Sequence, residues 1–113
     1  MDAGAIMIAT EAHRQRLPNR RRNATFDFEC AGLRYTAAVG RLPDGRIGEI
    51  FLNNHKSNSA ADTNARDSAI VCSIALQYGA DLNTLRRALS RDSHGRALGA
   101  LGAALDHLAD DSQ

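Results

Sequence analysis

Residues 25–39 read TFDFECAGLRYTAAV, two runs of period two on either side of Ala31-Gly32. In the first run Phe26, Phe28 and Cys30 oppose Thr25, Asp27 and Glu29. In the second, Leu33, Tyr35, Ala37 and Val39 alternate with Arg34, Thr36 and Ala38. Alternation of this kind marks half-buried strands, and two such runs joined by a short glycine-containing turn make a hairpin. Working outward, Pro43-Asp44-Gly45 supplies a second turn, because proline presets φ and glycine tolerates positive φ. Residues 47–52 then make a third strand, with Ile47 and Phe51 on one face and Ile50 and Leu52 on the other. The expectation is a three-stranded antiparallel meander.

Beyond the polar stretch 53–59 the period changes to that of a helix. Over residues 61–78, Ala65, Ala69, Cys72 and Leu76 form an apolar stripe that Ile70, Val71 and Ile74 widen, with Asp62, Arg66, Ser73 and Gln77 on the opposite side. Ser59 or Asp62 suits the N-cap, and Gly79 suits the position just past the C-terminus. Asp81 heads a second helix with Leu82, Leu85 and Leu89 inward and Arg86, Arg87 and Arg91 in water. After a break at 92–95, residues 97–109 repeat Leu98, Leu101, Leu105 and Leu108 at helical spacing. The predicted fold class is α+β: the meander followed by about three helices packed on one face, in two layers.

A chain of 113 residues, 43% hydrophobic and 24% charged, suits one domain with a single core. Its formal charge of +1 is unevenly spread, since residues 1–22 carry five arginines against Asp2 and Glu11. That segment has Pro18 and no sustained apolar period, which predicts a flexible basic arm over 1–22 and a single domain over 23–113. No apolar run approaches the length of a membrane span, and the first dozen residues lack a basic n-region and a long h-region. Cys30 and Cys72 stand alone, without CxxC spacing. These features predict a cytoplasmic protein without disulfides or a membrane partner.

The chemistry-bearing residues are scattered. His13, His55, His94 and His107 fall in unrelated parts of the chain, and both cysteines read as small core hydrophobes, so no catalytic residue, metal site or cofactor is predicted. Gly40 to Gly48 lacks phosphate-loop spacing and reads as a hairpin connection. Three binding surfaces remain. Asn54, His55, Lys56, Ser57 and Ser59 precede a helix N-terminus, where free amides favour an anion or nucleotide. Arg20, Arg21 and Arg22 could contact nucleic-acid phosphates. Ile47 and Phe51, on one face of an edge strand, are candidate contacts of a homodimer.

From Arg21 through Leu108 the chain resembles the TSCPD domain family, the accessory module at the C-terminus of adenosylcobalamin-dependent ribonucleotide reductases. The matching pieces, in order, are Phe26-Asp27-Phe28-Glu29, Tyr35-Thr36-Ala37-Ala38-Val39-Gly40, Pro43-Asp44-Gly45-Arg46, Gly48-Glu49-Ile50-Phe51, Ala75-Leu76-Gln77-Tyr78-Gly79 and Leu85-Arg86-Arg87-Ala88-Leu89. The namesake Thr-Ser-Cys-Pro-Asp run is absent, and the corresponding region reads Ala97-Leu98-Gly99-Ala100-Leu101-Gly102. The resemblance implies a non-catalytic accessory or regulatory domain of deoxynucleotide synthesis, with a ribonucleotide reductase catalytic subunit as partner. The large radical barrel and its cobalamin pocket have no counterpart in this chain.

Overall fold

Cys30 pairs with Leu33, which closes the hairpin through a two-residue turn at Ala31-Gly32. The computed structural model describes residues 13–111. Among them, β1 (Asn23–Cys30), β2 (Leu33–Arg41) and β3 (Ile47–Asn54) form an antiparallel sheet in the order β1-β2-β3. Then come α1 (Ala60–Gln77), α2 (Leu82–Ala88) and α3 (Ala100–Asp111). The fold is the α+β arrangement expected. Both turn residues have positive φ, Ala31 at 53° and Gly32 at 80°, as a type I′ turn requires. An alanine in the left-handed region costs roughly 1 kcal/mol, and asparagine tolerates it better. Ala31→Asn should therefore raise stability by about 1 kcal/mol, read as a higher urea midpoint with an unchanged slope.

The inward face of the sheet carries Phe28, Cys30, Tyr35, Ala37, Val39, Ile50 and Leu52, all buried. Ala65, Ala69, Cys72 and Leu76 of α1 and Ala104, Leu105 and Leu108 of α3 complete the core. α3 packs on β1, where the His107 ring stacks on Phe26 with centroids 4.2 Å apart. The alternation along β3 is broken at Gly48. Gly40 pairs with Glu49 but Arg41 pairs with Ile47, so Gly48 is the extra residue of a bulge. The bulge turns Ile47 to the core side, where it packs against the hydrophobic cluster, while Phe51 stays outside. The two residues expected to share a face do not.

α1 lies along β3, the edge of the sheet, and is rotated relative to the expectation. Asp62, Ser73 and Gln77, expected in water, are buried. Each serves the backbone of β3. Ser73 Oγ accepts from the Ile50 N–H at 2.8 Å and donates to the Ile50 carbonyl at 2.9 Å. Gln77 Nε2 donates to the Gly48 carbonyl, and Asp62 Oδ1 accepts from the Asn54 N–H. An edge strand presents unpaired backbone groups, and here a polar stripe of a helix satisfies them. Pairing of a second chain along these positions of β3 is thereby blocked.

The helix ends follow the expected chemistry. Ser59 caps α1 by accepting from the Asp62 N–H, Asp81 caps α2, and Gly79 takes φ 100° after α1 with the Ala80 N–H bonded to the Ala75 carbonyl. α3 starts later than expected, because Ala97 bridges to Arg91 and the Leu98 N–H goes to the Ser90 carbonyl. Arg86 and Arg91, expected in water, converge on Asp106 of α3. Arg91 grips its carboxylate through two nitrogens, at 2.7 and 2.8 Å, and Arg86 Nη1 lies 3.1 Å away. Hydrogen bonding from Arg91, and then from Arg86, holds the Asp106 carboxyl below the usual aspartate value.

Of residues 1–22, read as an arm, 1–12 lie outside the described residues. Residues 13–22 touch the domain at several points. The Gln15 N–H donates to the Gln77 carbonyl, the Arg14 guanidinium to Gln77 Oε1, and the Arg21 guanidinium pairs with Glu49. Leu17 packs against Gly48, where an added Cβ would lie 3.1 Å from Leu17 Cδ1. These contacts are mostly polar, so they leave no apolar period in the sequence.

Candidate functional site

The rotation of α1 that buries its polar stripe turns an apolar one outward. Ile70 is 53% exposed and Val71 67%, and Ile74 and Tyr78 extend the stripe toward the C-terminus of the helix. All three isoleucine and valine positions were expected in the core. Beside them runs a groove of about 390 Å³ with almost no polar lining, formed by Val71, Cys72 and Ala75 of α1, Leu85 and Leu89 around α2, and Leu101 of α3. On the other flank, Ile70 borders a hollow shared with Phe51, Leu52 and Arg66. Large apolar side chains scattered singly are ordinary on a surface, but a stripe continuous with an apolar groove is a candidate contact surface. The sequence signal was present in the width of the apolar arc on α1, which is more than one sheet face can cover.

The loop expected to bind an anion folds in on itself. Asn54 is buried, its side-chain oxygen accepts from the Lys56 N–H, and its Nδ2 is buried without a partner among the described residues. Ser59 Oγ donates to the Lys56 carbonyl and caps α1, while Ser57 and Lys56 stay exposed. His55 lies outside the sheet, with Nε2 2.9 Å from Thr36 Oγ1, which donates to Asp27. The carboxylate of Asp62, 4% exposed, already stands in the first turn of α1. Helix amides and loop are thus supplied with an internal anion.

The three arginines expected to face nucleic acid line one shallow hollow with Arg41, Leu42 and Pro43, but they make different contacts. Arg21 folds onto Glu49 and the Pro18 carbonyl, the Arg22 carbonyl accepts from the Arg41 N–H, and Arg20 is exposed. Glu49 lies over Gly40, whose missing side chain makes room for its carboxylate. Neither cysteine is a poised nucleophile. Burial pushes the Cys72 thiol up to about 11 and raises that of Cys30 as well. Among the described residues no three His, Cys, Asp or Glu side chains come together as metal ligands, and no helix is long and apolar enough to cross a membrane.

The chain is similar to part of the vitamin B12-dependent ribonucleotide reductase of Agrobacterium fabrum, 41% identical over 69 residues, which is 61% of this chain and 5% of the relative. The Bradyrhizobium diazoefficiens enzyme of the same name is 36% identical over 76 residues, 67% of this chain and 6% of the relative. That of Rhodopirellula baltica is 35% identical over 89 residues, 79% of this chain and 8% of the relative. The chain therefore spans less than a tenth of the length of these three relatives and corresponds to a small region within them. No protein-family model matches the chain, and no solved structure does.

Proposed function

We propose that this chain is a non-catalytic accessory domain of the TSCPD type, spanning residues 23–113, that docks on a ribonucleotide reductase catalytic subunit. The observation that carries the reading is the outward stripe Ile70, Val71 and Ile74 beside the groove lined by Leu85, Leu89 and Leu101. In the relatives the similar region is a small part of a much longer chain, so such a face there has the rest of an enzyme at hand to cover it. Truncating an apolar anchor in the centre of an interface costs upwards of about 1 kcal/mol, and a buried charge costs more.

Sedimentation of the chain with a vitamin B12-dependent ribonucleotide reductase, both full length and lacking the similar region, tests this. A complex is expected with the shortened enzyme, weakened at least about tenfold when Val71→Glu and Ile74→Glu are combined. Because both positions are exposed, the thermal midpoint should not move. Absence of a complex, or a complex indifferent to these substitutions, refutes the reading. A homodimer that the same substitutions dissolve would assign the face to a second copy instead.

A further inference from the structure

The hollow that Arg20, Arg21, Arg22 and Arg41 line with Pro18 and Pro43, about 270 Å³, gathers four arginines in one place. Among the described residues, Arg21 alone of the four meets a carboxylate. It pairs with Glu49, and its Nη1 folds back on the Pro18 carbonyl. Arg22 and Arg41 face each other across the β1–β2 ladder, where the Arg41 N–H donates to the Arg22 carbonyl. Residues paired in this way carry their side chains on one face of the sheet. Both lean over the turn at Gly45. Arg41 Nη1 donates to the Gly45 carbonyl at 2.8 Å, and a Cβ added at Gly45 would stand 3.4 Å from Arg22 Nη2. Asp44 in the same turn does not serve them, since its carboxylate is held by Arg46 Nε at 2.7 Å. Arg20 is exposed and has no ion pair among the described residues.

We infer that this hollow binds an anion carrying two or more successive phosphate groups, held by Arg20, Arg22 and Arg41. Like charges directly opposite on a ladder destabilise a sheet, so three arginines gathered without a counter-charge gain most from a ligand that supplies one. The planar guanidinium fork matches phosphate oxygens through paired N–H donors. A single phosphate monoester brings roughly −1.5 to −2 charges at neutral pH, less than the three arginines offer, whereas successive phosphates match them. Pro18 and Pro43 fix φ in the two segments that flank the site, so its walls lose little freedom when the anion enters. Condensed phosphates and the backbone of a nucleic acid both present this chemistry. The hollow shares no residue with the α1 face proposed for docking, and its test needs no protein partner.

The test is a calorimetric titration of the full chain with inorganic phosphate, tripolyphosphate, a single-stranded oligothymidylate and hexaglutamate, all at equal ionic strength. Saturable binding is expected with tripolyphosphate or the oligothymidylate, at least about tenfold tighter than with inorganic phosphate. Whichever of the two binds more tightly identifies the source of the phosphates. Combining Arg20→Gln and Arg22→Gln should weaken binding at least about tenfold. Neither side chain makes a hydrogen bond or ion pair among the described residues, so the thermal midpoint without ligand should hold, or rise as the Arg22–Arg41 repulsion is relieved. Arg87→Gln with Arg96→Gln removes the same charge from exposed positions outside the hollow and should leave binding unchanged. Four results overturn the assignment: no saturable binding of either phosphate polymer, inorganic phosphate bound as tightly as they are, equal weakening by the Arg87 and Arg96 pair, or hexaglutamate bound more tightly than both, which would give the hollow to an acidic peptide.

Discussion

Ser73→Val should lower stability by about 3 kcal/mol, roughly 10 to 20 °C in thermal midpoint for a domain of this size. The substitution replaces the hydroxyl with a methyl and adds a second methyl, so on the bare reading of α1 as an amphipathic helix it would be close to neutral. In the folded chain Ser73 Oγ both accepts from Ile50 N–H and donates to Ile50 C=O, and the side chain is buried against β3. Valine leaves two backbone groups of the edge strand without partners, each at a cost of about 1–3 kcal/mol. Ser73→Thr, which keeps the hydroxyl, should retain most of the stability. A midpoint for Ser73→Val within about 2 °C of the unsubstituted chain would mean that β3 finds water there and that α1 is not its edge cover.

That example shows where the sequence was readable and where it was not. Turns and caps are local chemistry, and Gly32, Pro43-Asp44-Gly45, Ser59, Asp81 and Gly79 do what their residue types suggest, whereas Ala31 takes a positive φ that alanine disfavours. The inward sets of β1 and β2 follow from alternation alone, except Leu33, which stands beside the turn and is 44% exposed. The orientation of α1 does not, because a helical period identifies a face without saying what that face meets. Asp62, Ser73 and Gln77 look like a solvated side until β3 is known to be the edge strand whose backbone they complete. The side chains Ile70, Val71 and Ile74 are then displaced outward, and the candidate contact surface arises from that displacement. Ile47 escaped the alternation for a different reason. A single bulge residue, Gly48, inverts the faces of everything before it on the strand. Arg86 and Arg91 looked solvated because their common partner, Asp106, is 20 and 15 residues away in sequence, respectively.

Asp62→Ala should cost about 2 kcal/mol, and it also decides the fate of the 53–59 loop as an anion site. The Asp62 carboxylate accepts from Asn54 N–H at 3.0 Å and sits in the first turn of α1, with Arg66 3.8 Å away one turn on. Removing it strands a buried backbone donor and takes a favourable negative charge from the positive end of an 18-residue helix. Asn54, His55, Lys56, Ser57 and Ser59 would then surround a helix N-terminus without its internal anion, so added phosphate or sulfate should restore part of the lost stability. The unsubstituted chain should show no such gain from the same loop, because the position is already filled. Rescue by anions in Asp62→Ala, absent in the parent, would establish that the loop has anion-binding geometry held shut by its own carboxylate. Equal stabilisation of both proteins, with NMR shifts at Lys56 to Ser59 in the parent, would instead show that an anion binds there with Asp62 in place. The neutral Asp62→Asn separates charge from hydrogen bonding, since an amide oxygen can still accept from Asn54 N–H. It should fall between parent and alanine variant, and closer to the parent if the hydrogen bond outweighs the helix dipole.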